Sequence, residues 1–123
     1  MSKILLVNDE ADINLSVRQI LEERGYEVDF YEDPIVALEN FKPKYYCLVI
    51  IDNKMPKMDG LTFYRKIRAL DSTVKMCFLT AAEISQKCPE NIASLLPASH
   101  IIRIPIDNEE LLQRIKVILS DLG

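Results

Sequence analysis

Asp9, Asp52 and Thr80 each follow an apolar run, and of all the residues in this chain they are the best suited to joint chemistry. Asp9 comes after Ile4-Leu5-Leu6-Val7-Asn8, Asp52 closes Cys47-Leu48-Val49-Ile50-Ile51, and Thr80 follows Val74 to Leu79. Two carboxylates brought to one place repel each other, and a hard cation with oxygen ligands relieves the repulsion. Mg²⁺ suits such a pair, because it takes one or two carboxylates and keeps waters for a phosphate-bearing ligand. A carboxylate held against the ion is a nucleophile toward phosphorus, and the product is an aspartyl phosphate. A hydroxyl such as that of Thr80 can donate to a phosphoryl oxygen. Any single acid at a strand end is ordinarily a solvated loop residue. It is the set of three that points to a site.

These residues must be gathered by the elements they terminate. A continuous apolar run of about five residues reads as a strand buried on both faces. Ile4–Val7 and the run into Asp52 have that character; Val74–Leu79 and Ile101–Ile104, apolar apart from Lys75 and Arg103, read as two further strands, whereas Glu27–Tyr31 alternates as an edge strand does. Helical spacing fills the intervals. Ile13, Val17, Ile20 and Leu21 recur on one helix, stopped by Gly25. Asp33-Pro34, a cap followed by Pro at the first helical position, opens a short helix to about Phe41. Leu61, Tyr64, Ile67 and Arg68 mark a third helix, and Ile84, Cys88, Ile92, Leu95 and Leu96 a fourth, with Pro89 inside the pattern. Asp107 to Glu110 is a capping box ahead of Leu111, Leu112, Ile115, Ile118 and Leu119. Strands alternating with helices predict an α/β fold: a doubly wound, five-stranded parallel sheet in a flavodoxin-like three-layer αβα arrangement, order 2-1-3-4-5. That order sets strands one and three side by side. Asp9 and Asp52 then converge at the carboxyl ends of the strands, where such sheets place their ligands, with Thr80 one strand over.

The 123 residues, 49% of them apolar, form one domain spanning 1–123. A net charge of −4 without a basic stripe argues against direct nucleic-acid binding. The longest apolar run is too short for membrane insertion, and the residues after Met1 read as a strand, not a signal peptide. Cys47, Cys77 and Cys88 form no CxxC pair, and two of them lie within apolar runs. They read as small core side chains in a reducing, cytoplasmic setting. No linker or repeat is evident, and these residues leave no room for an output domain.

Over essentially its whole length the chain resembles a response-regulator receiver domain, of the stand-alone type used in two-component phosphorelay signalling. The resemblance is carried by Ile4-Leu5-Leu6-Val7-Asn8-Asp9-Glu10, by Asp52-Asn53-Lys54-Met55-Pro56-Lys57-Met58-Asp59-Gly60, by Phe78-Leu79-Thr80-Ala81, and by Pro105 ahead of the Asp107 helix. It implies that Asp52 accepts a phosphoryl group, with Mg²⁺, from the phosphohistidine of a sensor histidine kinase or a phosphotransfer protein. It implies a metal held by Asp9, Asp52 and the backbone carbonyl of Lys54, with Asn8 reaching it through a water. Thr80 would contact the phosphoryl group and act as the switch. The face made by the fourth helix, fifth strand and fifth helix would then meet a downstream protein or a second copy of the chain. The expected product is a cytoplasmic phosphoprotein that relays a state and is not an enzyme in the usual sense.

Three positions depart from the family pattern. Asn8 stands where the first of two acids is usual, which keeps an oxygen and drops a charge. Ile104 stands where a Lys ordinarily precedes the strand-five Pro and answers the charge of the acceptor. Ile101 replaces an aromatic whose rotamer ordinarily follows the hydroxyl. Arg103 is a possible replacement cation, although adjacent strand residues point to opposite faces. Lys54 and Lys57 on the loop after Asp52 are others. These departures leave open an alternative: a pseudo-receiver interaction module with lost or altered phosphorylation switching. Two further readings fit poorly. A dehalogenase-type phosphohydrolase resembles Asp-x-Asp after strand one, whereas here position 54 is Lys, on the loop after strand three. A flavodoxin needs a phosphate loop rich in Ser, Thr and Gly where this chain has Asn8-Asp9-Glu10.

Overall fold

A computed structural model describes residues 3–52, 57–80, 100–104 and 106–120. Four strands and three helices alternate through β1 (Lys3–Val7), α1 (Ala11–Glu23), β2 (Glu27–Tyr31), α2 (Pro34–Glu39), β3 (Leu48–Asp52), α3 (Gly60–Leu70) and β4 (Lys75–Thr80). β5 (Ile101–Arg103) and a C-terminal helix (Asn108–Ser120) complete the described elements. The helix expected over 84–96, with Cys88 and Pro89, lies outside the described residues, as do Lys54 and Pro105.

The strands form one parallel sheet in the order β2-β1-β3-β4-β5, as the alternation of elements predicts. Each inner strand faces a different core on each side. Leu5, Val7, Val49, Ile51, Met76 and Phe78 pack under α2 and α3 against Ala37, Phe63, Tyr64 and Ile67. Ile4, Leu6, Leu48, Ile50, Cys77 and Leu79 pack under α1 and the C-terminal helix against Val17, Leu21, Leu111 and Ile115. Fully burying each such side chain contributes about 2 kcal/mol, so two-sided burial explains why these strands are uninterrupted apolar runs. Cys77 belongs to the second core, and burial pushes its thiol up to about 12, which suppresses the reactive thiolate.

The helix ends follow their capping chemistry. Asp33 accepts the Ile35 N–H at 2.8 Å with Pro34 behind it, and Asp59 accepts the Thr62 N–H at 2.8 Å. Both bonds hold the aspartates below the usual carboxylate range; for Asp33 the contact with Lys57 contributes most. Gly25, at φ +92°, turns the chain after α1 in a conformation that a side chain would strain. α2 ends at Glu39, two residues short of the expected Phe41, and β5 stops at Arg103, one short of Ile104. The helical spacing in α3 pointed to Tyr64 and Ile67. Phe63, one turn before Ile67 on the same face, is equally buried and was not singled out.

The amino end of the sheet is tied by a polar network. Asp71, between α3 and β4, accepts from Lys44 N (2.8 Å), Thr73 N (3.0 Å), Thr73 Oγ1 (3.0 Å) and Val74 N (3.2 Å). Burial alone would raise its pKa, but the donors prevail and lower it below the ordinary aspartate value. Lys44, at φ +63°, is thereby anchored in the turn that feeds β3. Lys3 bridges Glu27 and Asp29, and the Tyr46 hydroxyl donates to Asp29 at 2.9 Å.

Candidate functional site

β1 and β3 are neighbours with Val7 opposite Ile51, so the next residues, Asn8 and Asp52, leave adjacent strand ends side by side. Asp9 follows on the loop to α1 and is exposed, whereas Asp52 is half-buried at the last position of β3. Asp52 pairs in register with Leu79, and Thr80 comes one residue later, nearly wholly buried. The strand order therefore gathers Asp9, Asp52 and Thr80 on one carboxyl-end rim, as the sequence predicts. Two carboxylates with solvent on one side are a donor set that suits Mg²⁺, which needs few protein ligands. Among the described residues no group of three or more His, Cys, Asp or Glu gathers to hold a metal. Lys54, expected to lend its carbonyl, lies outside the described residues.

The loop between β1 and α1 is braced at Asn8. This residue is only 1% exposed. Its N–H donates to the Tyr31 carbonyl at 3.1 Å, its Oδ1 accepts the Glu10 N–H at 2.9 Å, and its own carbonyl accepts from Asn14 Nδ2 at 2.6 Å. The side-chain oxygen expected to face a metal-bound water thus has one lone pair engaged by the backbone of its own turn. Asn14 was not singled out from the sequence. The signal that could have found it is a polar residue on the same helical stripe as Val17 and Leu21.

The candidate cations fall in separate places. Strand alternation puts Ile101 against the core under α2 and α3, and Ile102 against the other. Arg103 follows on the side of Ile101, opposite Thr80 in register, and is exposed. Ile104 donates its N–H to the Thr80 carbonyl at 2.9 Å and packs on the core under α1 and the C-terminal helix. Asp52 leads off on that same side, since Leu48 and Ile50 alternate onto it. Position 104, not 103, therefore shares the face of Asp52, and it holds an apolar side chain. Ile104 lines a pocket of about 470 Å³ with Ile13, Val17, Ile106 and Leu111. Lys57 donates to Asp33 Oδ2 at 2.8 Å, joining the loop after β3 to the start of α2.

This topology, with acids ending β1 and β3 and a hydroxyl ending β4, has close counterparts. The response regulator receiver domain family model matches residues 4–116. The chain belongs to that family. The chemotaxis protein CheY of Treponema pallidum is 33% identical over 121 residues, covering 96% of this chain and 83% of that protein. The transcriptional regulatory protein RprY of Bacteroides fragilis is 32% identical over 117 residues, covering 95% of this chain. The chain spans about half the length of RprY, 49%. Among solved structures, the response regulator TrrA of Thermotoga maritima, in complex with Mg²⁺ and BeF, superposes with a TM-score of 0.78 at 30% identity, covering 96% of this chain and 99% of that one. A CheY-like receiver domain from Methanospirillum hungatei gives a TM-score of 0.82 at 28% identity, with 98% and 94% covered. Receiver domains are signalling modules of two-component systems, and this chain has their flavodoxin-like fold. Among the described residues no helix is long and apolar enough to cross a membrane.

Proposed function

We propose that this receiver domain takes a phosphoryl group on Asp52 in a Mg²⁺-dependent reaction and relays that state to a protein partner. The observation that carries the reading is the register of β1, β3 and β4, with acids at the ends of the first two and Thr80 at the end of the third. Asp9 and Asp52 would hold the ion, helped by the Lys54 carbonyl and by Asn8 through a water. When bound, Mg²⁺ supplies charge neutralisation between the carboxylates and the incoming phosphoryl oxygens. A carboxylate oxygen of Asp52 attacks phosphorus in line. The P–N bond of the donor phosphohistidine breaks, and its electron pair leaves with the imidazole nitrogen. The Thr80 hydroxyl donates to a phosphoryl oxygen. The added dianion then biases the strand ends that carry it, and a bistable surface must report it. That surface would be the side formed by the segment after Thr80, β5 and the C-terminal helix, meeting a downstream protein or a second copy in the cytoplasm. The donor is a sensor histidine kinase or a phosphotransfer protein. TrrA, similar over 96% of the chain, is solved with Mg²⁺ and BeF, which supports the metal assignment.

A second reading, an interaction module that no longer switches on phosphate, is favoured by the apolar setting of Ile104 and the opposite side taken by Arg103. Arg103 could serve as the cation only if the end of β5 re-aims it. One experiment separates the readings: incubation with Mg²⁺ and acetyl phosphate, followed by intact mass. A phosphoryl adduct in the wild type that is lost in Asp52→Ala supports the acceptor reading. A wild type that binds Mg²⁺ yet forms no adduct supports the module.

A further inference from the structure

Asn14 interrupts the apolar stripe of α1. Among the described side chains of that helix, positions 14, 17 and 21 are the buried ones, and Val17 and Leu21 fill the other two. A buried amide is costly unless its polar atoms are bonded, and Asn favours helix caps over interiors. Here Nδ2 donates to the Asn8 carbonyl at 2.6 Å. Its Oδ1 is buried and, among the described residues, accepts no hydrogen bond. A side chain retained for packing alone would be apolar at this position. What the amide does is grip the backbone of the residue before Asp9. Asn8 is also held through its N–H by Tyr31 and through its Oδ1 by Glu10. Asn8 is therefore held at three points, and the Asn14 contact is the one that bears on the peptide plane between Asn8 and Asp9, reaching its carbonyl from across the loop.

We propose that Asn14 is a positioning residue for the metal-binding loop, orienting the Asn8–Asp9 peptide so that the Asp9 carboxylate is presented to the divalent cation. The proposal rests on the reading of Asp9 and Asp52 as the metal site. Local rules are broken where function requires it, and an amide on an otherwise apolar stripe is such a break. Its cost is offset by a loop that need not be ordered when the ion arrives.

The test is a Mg²⁺ titration of the wild type, Asn14→Leu and Asn14→Ala, followed by amide NMR shifts, with thermal unfolding measured without metal. Asn14→Leu completes the apolar stripe. It is expected to unfold at or above the wild-type temperature while binding Mg²⁺ about tenfold more weakly, as loss of an outer contact to a metal ligand does. Asn14→Ala is expected to bind as weakly as Asn14→Leu although it is less stable, so affinity and stability separate. Wild-type Mg²⁺ affinity in both variants overturns the proposal. A wild type that binds no Mg²⁺ removes the acceptor reading, and the proposal with it. Wild-type binding that is lost in Asp9→Asn secures that reading, and Asn14 is then judged by its own variants.

Discussion

The two ends of the sheet use the same side chain in opposite ways. At the amino end Asp71 is buried and surrounded by four donors from Lys44, Thr73 and Val74. At the carboxyl end Asp9 is exposed and Asp52 half-buried. The bonds described near these two hold the loop backbone through Asn8 and Asn14 and join neighbouring loops through Lys57 and Asp33. A carboxylate saturated by N–H donors is stabilised as an anion and has little lone-pair density left to offer. It is a structural tie. Carboxylates at neighbouring strand ends, with solvent on one side, are instead placed to share a hard cation, as proposed for Asp9 and Asp52. The difference lies in the backbone around each acid. Turns that aim N–H groups at Asp71 precede β3 and β4, while Asp9 and Asp52, at the carboxyl ends of β1 and β3, are left more exposed.

Substitutions can break this contrast, beginning with the largest effect. Asp52→Ala is expected to abolish the acetyl-phosphate adduct in intact mass while changing unfolding free energy by only about 0.5 kcal/mol. Asp71→Ala should do the reverse. It strands the backbone N–H groups of Lys44, Thr73 and Val74, and chemical denaturation should show a loss of about 3 kcal/mol, with adduct formation by the folded protein unchanged. A large stability loss in the first variant, or a lost adduct in the second, would blur the division between the ends.

The same acid predicts a pH dependence. The folded pKa of Asp71 is lowered, so its contribution is whole above the ordinary value of 3.8 and disappears as pH falls through the lower folded value. Acid titration of the wild type should show stability falling in that window, and Asp71→Asn should flatten the fall. Asp33 and Asp59, also lowered, contribute in the same direction.

Ile104→Lys sharpens the comparison at the carboxyl end. It gives up apolar contact on the α1 side, at a cost of about 1 kcal/mol, and places an ammonium on the face shared with Asp52. A stronger or longer-lived adduct is expected by time-resolved intact mass. An unchanged response would mean that Arg103 or a loop lysine already answers the charge. Tyr46→Phe is the mildest change. It removes the hydroxyl bond to Asp29, and denaturation should register about 1 kcal/mol with no effect on the adduct.

Much of the architecture was legible in the chain because its signals are local. Ile4–Val7 and Leu48–Ile51 announce buried strands, Asp33-Pro34 and the capping box from Asp107 to Glu110 announce helix starts, and the alternation of elements leaves few parallel topologies. Asp9, Asp52 and Thr80 could be named because each sits at the end of such a run. What the sequence alone could not determine depends on which groups meet across the fold. Asp71 reads as one more loop acid until Lys44, 27 residues earlier, is brought against it. Asn14 shares the helical stripe of Val17 and Leu21, but only the packing of α1 shows that its amide meets the Asn8 carbonyl. Ile104 reads as a missing lysine, and only the packing of the C-terminal helix shows that its side chain lies with Ile106 and Leu111 on the face of Asp52. Strand and helix periods are written in neighbouring residues. Hydrogen-bond partners and the facing of side chains are decided when distant segments exclude water together, and that is a property of the folded chain.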